Sequence, residues 1–286
     1  MTLPRFELLK PATLAEALGV LSTTAGAQPL AGGTNLIVDM RSRKLQPSTL
    51  VDIGGLQELC CIREKDGHLL IGGAVTIAEL LDDPMIARHA PILQQMARSF
   101  ANTLIRNRAT VGGNLVNAAP CSDTAPALLV LDAKVELASS SGTRRLPLDE
   151  FLVGAFETKR QPDELLACVR VPIPPEGARM AFEKMGLRKI SCMAKVDVAV
   201  RVDTGDTGSV TNAQVAVGAA SAVALRVLKA ENALVESGLS TEAITQASDF
   251  AAEAADPRAG SEYKRQVVRG MTRRVLESLC EEARSE

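Results

Sequence analysis

At 286 residues, 46% hydrophobic and 23% charged, the chain can bury a large core and divides more naturally into two domains than one. A formal net charge of −2 offers no basic field to a polyanion, aromatic residues total 2% with no Trp to stack on bases, and no apolar run approaches the roughly 18 residues that span a bilayer. Nucleic-acid binding and a membrane span are therefore set aside at the outset. The start, Met1-Thr2-Leu3-Pro4-Arg5-Phe6-Glu7, lacks the basic-then-apolar build of a secretory signal, so a cytoplasmic location is expected. Six cysteines (Cys60, Cys61, Cys121, Cys168, Cys192, Cys280) show no C-x-x-C spacing, and only His68 and His89 could join them as soft ligands. Reduced thiols and no metal centre in this chain are expected.

Thr13-Leu14-Ala15-Glu16 has the spacing of a capping box, in which hydroxyl and carboxylate satisfy the orphan amides of a helix start, and predicts a helix over about 13–25. Thr76-Ile77-Ala78-Glu79 repeats the signal and opens a second helix. A third covers about 91–100, with Leu93, Met96 and Ala97 on one side. Short apolar runs predict strands at 49–53, 69–71, 128–137 and 165–171.

Pro172-Ile173-Pro174-Pro175-Glu176-Gly177 is the densest cluster of breakers and marks the expected domain boundary. It divides the chain into 1–175, with subdomains of about 1–55 and 56–175, and 178–286. Beyond it, Lys195-Val196-Asp197-Val198-Ala199-Val200-Arg201-Val202 alternates polar with apolar, as does 214–217 across a turn at 203–209. That pattern predicts an antiparallel hairpin with one buried face. Helices near 241–255 and 262–283 follow; in the second, Val267, Met271, Val275 and Leu279 recur opposite Lys264, Arg265 and Arg273. The sum is an α+β protein.

Gly-Gly pairs recur at 32, 54, 72 and 112. Leu30-Ala31-Gly32-Gly33-Thr34-Asn35-Leu36 follows a strand expected to end at Gln28, and adjacent glycines let successive N–H groups turn inward as a concavity suited to a pyrophosphate. Thr110-Val111-Gly112-Gly113-Asn114-Leu115 offers a second bend, again with hydroxyl and amide side chains beside the glycines. Two such bends can clasp one dinucleotide from both sides. A Gly-Gly pair taken alone is more often a tight turn, and neither segment matches the Rossmann or P-loop fingerprint. Gly54-Gly55 and Gly72-Gly73 read as structural turns. His68, in a turn beside Gly67, and His89, in a helix next to Pro91, read as exposed structural histidines.

Ala31-Gly32-Gly33-Thr34-Asn35-Leu36, and Ala109-Thr110-Val111-Gly112-Gly113-Asn114-Leu115 followed by Asn117-Ala118-Ala119-Pro120-Cys121-Ser122-Asp123, resemble the paired signatures of the FAD-binding subunits of molybdenum hydroxylases. That family includes the xanthine dehydrogenase flavin domain and the carbon monoxide dehydrogenase medium subunit. The likeness runs nearly the whole chain, taking in Glu183-Lys184 and Ser261-Glu262-Tyr263-Lys264-Arg265. It implies a two-part FAD-binding domain of the PCMH/vanillyl-alcohol-oxidase type, then a smaller α+β domain with an antiparallel sheet and C-terminal helices.

The resemblance further implies that 31–35 and 110–114 hold the FAD pyrophosphate and neighbouring groups mainly through backbone amides, with Leu30, Leu36 and Val111 in the same two segments. Phe100, Asp123, Leu165 and Lys184 occupy positions that contact the cofactor: Phe100 with a flat face, Asp123 accepting from a ribose or adenine donor, Leu165 by packing, Lys184 opposing flavin or phosphate charge. Arg188-Lys189-Ile190-Ser191-Cys192-Met193-Ala194-Lys195 corresponds to a stretch that borders the isoalloxazine, where acidic residues are common and an aromatic sometimes covers the ring. Here Ser191, Cys192 and Met193 stand there, Met193 as a flexible cover.

By the same resemblance the partners are a large molybdenum-cofactor subunit and a small subunit with [2Fe-2S] clusters, in a dimer of heterotrimers. The flavin is then the last station, passing electrons to NAD or another acceptor, and this chain supplies neither a catalytic side chain nor a metal ligand. Two other readings stay open: a free-standing FAD-dependent oxidoreductase of the same fold, which would need its own substrate pocket and general acid or base, and a flavin-free scaffold paralogue.

Overall fold

The structure, a computed structural model, describes residues 2–188, 191–205, 208–256 and 261–285. Strands β1 (Glu7–Leu9), β2 (Gln28–Leu30) and β3 (Thr49–Asp52) form a parallel sheet in the order β1-β3-β2. Parallel neighbours need crossovers, and α1 (Leu14–Thr23) and α2 (Leu36–Arg41) supply them. Thr13 caps α1 by accepting from the Glu16 amide, but the Glu16 carboxylate reaches back to the Ala12 amide at 2.8 Å rather than to Thr13, so only half of the expected box forms.

A second, antiparallel sheet carries the bulk of the first domain. Its strands β4 (Ile62–Lys65) and β5 (His68–Gly72) precede six helices: α3 (Ile77–Asp82), α4 (Pro84–His89), α5 (Pro91–Ser99), α6 (Thr103–Arg106), α7 (Val111–Asn117) and α8 (Thr124–Leu129). Strands β6 (Lys134–Ser139) and β7 (Gly142–Pro147), the turn of helix α9 (Leu148–Phe151), a small hairpin of β8 (Leu152–Gly154) and β9 (Glu157–Thr158), and β10 (Leu165–Pro172) follow. The sheet order is β4-β5-β10-β6-β7. At Thr76 and Glu79 the reciprocal capping box is complete, and it starts α3 as expected. Ile92, Leu93, Met96 and Ala97 of α5 are fully buried in one cluster with Phe151 and the inner residues of β5, β6 and β10.

The run 128–137, expected as one strand, is two elements. Every residue of α8 is buried, and the strand starts only at Lys134. A helix wrapped in core on all sides shows no polar face, and an unbroken apolar run cannot distinguish it from a buried strand. His68 opens β5 rather than lying in the turn before it, and His89 is not exposed: its side chain is 13% accessible and its Nε2 lies 3.4 Å from Glu64.

The second domain is a four-stranded antiparallel sheet, β11 (Arg179–Gly186), β12 (Ala194–Thr204), β13 (Val210–Gly218) and β14 (Leu225–Arg226), in that order, backed by α10 (Leu228–Ser237), α11 (Thr241–Ala254) and α12 (Ser261–Ser285). The predicted hairpin is β12 and β13, with Arg201 opposite Gln214 and Ala199 opposite Ala216. Both of its faces are buried, not one. Val196, Val198, Val200, Val202, Val215 and Val217 pack on the helices, while Ala199 and Ala216 join the core of the first domain. The polar members of the alternation, Asp197, Arg201, Asp203 and Gln214, are buried on that same interdomain side.

Charge pairing makes the burial of Arg201, Asp203 and Gln214 tolerable. Arg201 forks onto Asp203 at 2.6 and 2.8 Å, Gln214 donates to Asp132 of the first domain, and Arg226 joins Asp132 at 2.6 Å to Glu231 at 2.7 Å. In α12 the buried stripe is Val268, Met271, Val275, Leu276 and Leu279, with Val267 at its edge, because a strict four-residue repeat drifts around a helix of 3.6 residues per turn. Among the described residues no helix is long and apolar enough to cross a membrane.

Candidate functional site

The first glycine bend starts where β2 ends, at Leu30; Gln28 opens that strand rather than closing it. Gly33 holds a φ of +72°, which turns the chain into α2 and which an L side chain adopts only under strain. Ile37 and Asp39 are the first to close helical bonds, onto the carbonyls of Gly33 and Asn35, and the Asn35 side chain makes no cap. The amides of Gly33, Thr34, Asn35 and Leu36 have no acceptor among the described residues. Four successive unsatisfied donors around a glycine form an anion-binding concavity.

The second bend is built differently from the expectation that its amides are free. Val111 N donates to Val75 O at 2.9 Å, Gly112 N to Gly73 O at 2.9 Å, Gly113 N to Thr110 Oγ1 at 3.0 Å and Asn114 N to Thr110 O at 2.9 Å. These four amides are spent on tying the bend to the β5–α3 connection and on capping α7. What remains to face a ligand is shape and the Asn114 side chain, whose Oδ1 accepts from the Ser122 and Thr124 hydroxyls and leaves the N–H pair as donors.

Close packing brings the two bends together. A Cβ on Gly32 would sit 1.6 Å from the Arg108 carbonyl oxygen, and one on Gly112 would sit 2.6 Å from that of Gly73. Both bends line a single cleft of about 690 Å³, within the ~300–1,000 Å³ of ligand-binding pockets. Phe100 and Leu165, expected at the site, also line it, together with Ala31, Leu36, Leu166 and Ile105. Leu30 and Val111 stand behind the bends, Val111 fully buried. Gly73 is a structural glycine as read, since a Cβ there would sit 1.9 Å from the Leu166 carbonyl oxygen, yet it lines the cleft as well. Lys44, Phe156, Arg160 and Glu164 complete the wall. None of these four belongs to a bend; they come from loops, and chain folding alone delivers them.

Asp123 and Lys184 do not line the cleft. They form an ion pair across the domain boundary, Nζ to Oδ2 at 2.5 Å, with side chains 5% and 4% accessible, and Lys184 also donates to Ser99 O beside Phe100. Burial raises the Asp123 carboxyl to about 6 although Lys184 pulls it down. Asp197, opposite Lys184 on β12, has neither oxygen hydrogen-bonded among the described residues, and burial, reinforced by the Asp123 charge, holds it well above the usual carboxylate range. Met193 is 77% exposed and outside the cleft. Its segment is pinned beside Ala101 by Ser191 N to Ala101 O at 3.1 Å and by Asn102 Nδ2 to Ser191 Oγ at 3.3 Å. Lys189 and Ile190 of the same stretch lie outside the described residues. Among the described residues no group of three His, Cys, Asp or Glu side chains could hold a metal ion.

Comparison with known proteins gives this geometry a family. The FAD binding domain in molybdopterin dehydrogenase matches residues 4–174, and the CO dehydrogenase flavoprotein C-terminal domain matches residues 181–279. The chain is 33% identical over 286 residues to the 6-hydroxypseudooxynicotine dehydrogenase complex subunit alpha of Paenarthrobacter nicotinovorans, covering 98% of this chain and 96% of that one. It is 32% identical over 277 residues to the carbon monoxide dehydrogenase medium chain of Afipia carboxidovorans, covering 95% and 96%. A solved carbon monoxide dehydrogenase from Hydrogenophaga pseudoflava, which lacks the Mo-pyranopterin moiety of its cofactor, superposes with a TM-score of 0.92 at 30% identity over 97% of this chain and 98% of that one. The free amides, the paired glycine bends and these matches over both domains agree: the chain belongs to the FAD-binding medium subunits of the molybdopterin dehydrogenases, the flavin subunits of xanthine dehydrogenase-like oxidoreductases.

Proposed function

We propose that one FAD occupies the cleft and that this chain carries electrons from the [2Fe-2S] clusters of a small partner subunit to NAD or another external acceptor, within a dimer of heterotrimers whose large subunit holds the molybdenum cofactor. The observation that supports it above others is the row of unsatisfied amides at Gly33 to Leu36 opening into a cleft that the second bend also lines. When bound, the flavin supplies the redox chemistry.

The chain's own residues bind and orient. The amides of the first bend take the diphosphate, with the Thr34 and Asn35 side chains at its rim and Asn114 donating from the facing wall. Phe100 and Leu165 give the apolar floor. The isoalloxazine belongs at the Phe100 end, beside the 191–193 segment, where the buried Lys184 and Asp123 set the local charge from behind Ser99. In this reading 1–175 is the FAD-binding domain, with a phosphate-holding subdomain of about 1–55 and a second of 56–175, and 178–286 closes the flavin end.

Titrating the purified full chain with FAD, and reading the quenching of flavin fluorescence and the bound stoichiometry, should give one FAD per chain. A folded chain that takes up none overturns the proposal. Purification from the native host should in addition yield one subunit with molybdenum and one with iron–sulfur clusters by mass and metal analysis.

A further inference from the structure

Two residues of the cleft wall have no part in the reading above. Helices α2 and α7 each begin at one glycine bend and run from it for 6 and 7 residues, about 9–10 Å at ~1.5 Å per residue. Lys44 follows the far end of α2, its amide donating to Asp39 O at 3.0 Å. Phe156 sits at the far end of α7, its amide donating to Ala118 O at 2.8 Å. Their side chains meet, the Lys44 ammonium 5.4 Å from the centroid of the Phe156 ring, so the two helix ends are joined across the cleft.

Phe156 is an unusual residue for this place. The residue is 58% exposed, and its φ of +63°, in the tight turn between β8 and β9, is a strained backbone for an aromatic side chain. The fold thus leaves a large apolar residue more than half exposed, on the wall of a ligand cleft, with an ammonium over its ring. Arg160 nearby has its Nη1 spent on the carbonyls of Gln161, Pro162 and Glu164, so it is held by its own loop.

We propose that Phe156 is the stacking platform for the adenine of the bound dinucleotide and that Lys44 is the positioning residue that holds the ring across the cleft. Phe156 and both glycine bends line the same cleft, with one helix, α2 or α7, running between each bend and the Lys44–Phe156 end. Purines stack on aromatic faces through offset contacts, and a cation over the ring fixes its orientation. Asp39, 3.5 Å from the Lys44 ammonium, anchors that cation in turn. The inference rests on the proposed function, which sends the isoalloxazine the other way, toward Phe100.

FAD and FMN share the flavin and its first phosphate, and FMN lacks the adenylate, so a substitution that weakens FAD and spares FMN acts at the adenylate end. Wild-type chain should bind FAD more tightly than FMN. In Phe156→Ala the FAD affinity should fall roughly ten- to a hundredfold, the loss of one stacked base, with FMN affinity held, so that the ratio falls by the same factor. Phe156→Tyr should keep the ratio. Lys44→Met should lower FAD affinity several-fold and Lys44→Arg restore it. The ring is exposed, so unchanged thermal melts are expected and separate binding from folding. A ratio unmoved by Phe156→Ala, or an equal loss for FMN, overturns the clamp and leaves the FAD assignment standing; a wild-type chain that binds neither flavin overturns both.

Discussion

Gly32, Gly33 and Gly112 are small for two separate reasons. Gly32 and Gly112 are places where two backbones touch, onto the carbonyls of Arg108 and Gly73, whereas Gly33 provides a left-handed turn with only side-chain atoms of Leu30 and Ile37 near a would-be Cβ, at 3.1 and 3.2 Å. A side chain at Gly33 therefore does not fill the phosphate approach; it strains the turn. The consequence is a ranking. Gly33→Ala should cost on the order of 1–2 kcal/mol, the penalty of a left-handed L residue. Gly32→Ala must push two bends apart, so it should cost more stability and weaken FAD by at least about tenfold, since each 1.4 kcal/mol is tenfold. Denaturant melts with FAD titration on both variants decide the order, and equal losses would show that the bends do not depend on that contact.

Among elements, β11 is an edge strand, with a row of unpaired amides and carbonyls that would otherwise invite another strand. Gln95 of α5 answers this by standing in for a neighbouring strand: its Oε1 accepts from Phe182 N at 2.8 Å and its Nε2 donates to Met180 O at 3.3 Å. One side chain thus docks the second domain onto the first by backbone recognition. Gln95→Ala strands both groups at a part-buried site and should destabilise the chain by about 1–3 kcal/mol, while Gln95→Glu, which keeps the acceptor, should lose less. Thermal melts of the pair test this, and indistinguishable Ala and wild-type curves would remove Gln95 from the account. The β12–β13 hairpin makes a related point: its alternation was legible, but which side water would see was not, because the first domain covers the polar side.

Across the whole molecule, the domain interface is a layer of charge. Asp132 ties Gln214 and Arg226 to the first domain, and Asp123, Lys184 and Asp197 put two carboxylates and one ammonium in a dry space. A carboxyl raised in the folded state binds its proton more tightly there than in the unfolded chain. Its stabilising effect is complete below the ordinary value of 3.8 and is lost as pH rises through about 6 for Asp123, and beyond that range for Asp197. The contribution of these two carboxyls to wild-type stability should therefore fall between about pH 4 and 6 and continue to fall above it. Asp197→Asn removes a charge that deprotonation would otherwise expose to burial, so its melting curve should lie below or near wild type at pH 5 and on the order of 2–4 °C above it at pH 8. Parallel pH profiles for the two proteins would mean that Asp197 does not titrate in this range.

The amino-acid sequence by itself determined the α+β class, the helices with capping signals, the β12–β13 pairing and the two glycine bends, because each is written in contacts within a few residues. It also carried the family likeness, since the motif residues are contiguous. Tertiary structure alone decided that the amides of the first bend stay free and those of the second are consumed, that Asp123 and Lys184 turn to each other instead of to solvent, and that Phe156 and Lys44, 112 positions apart in the numbering, meet over one cleft. Those outcomes depend on what packs against each group from distant chain, Gly73 and Val75 under one bend and the second domain over the ion pair, and no local pattern encodes a neighbour that only folding supplies.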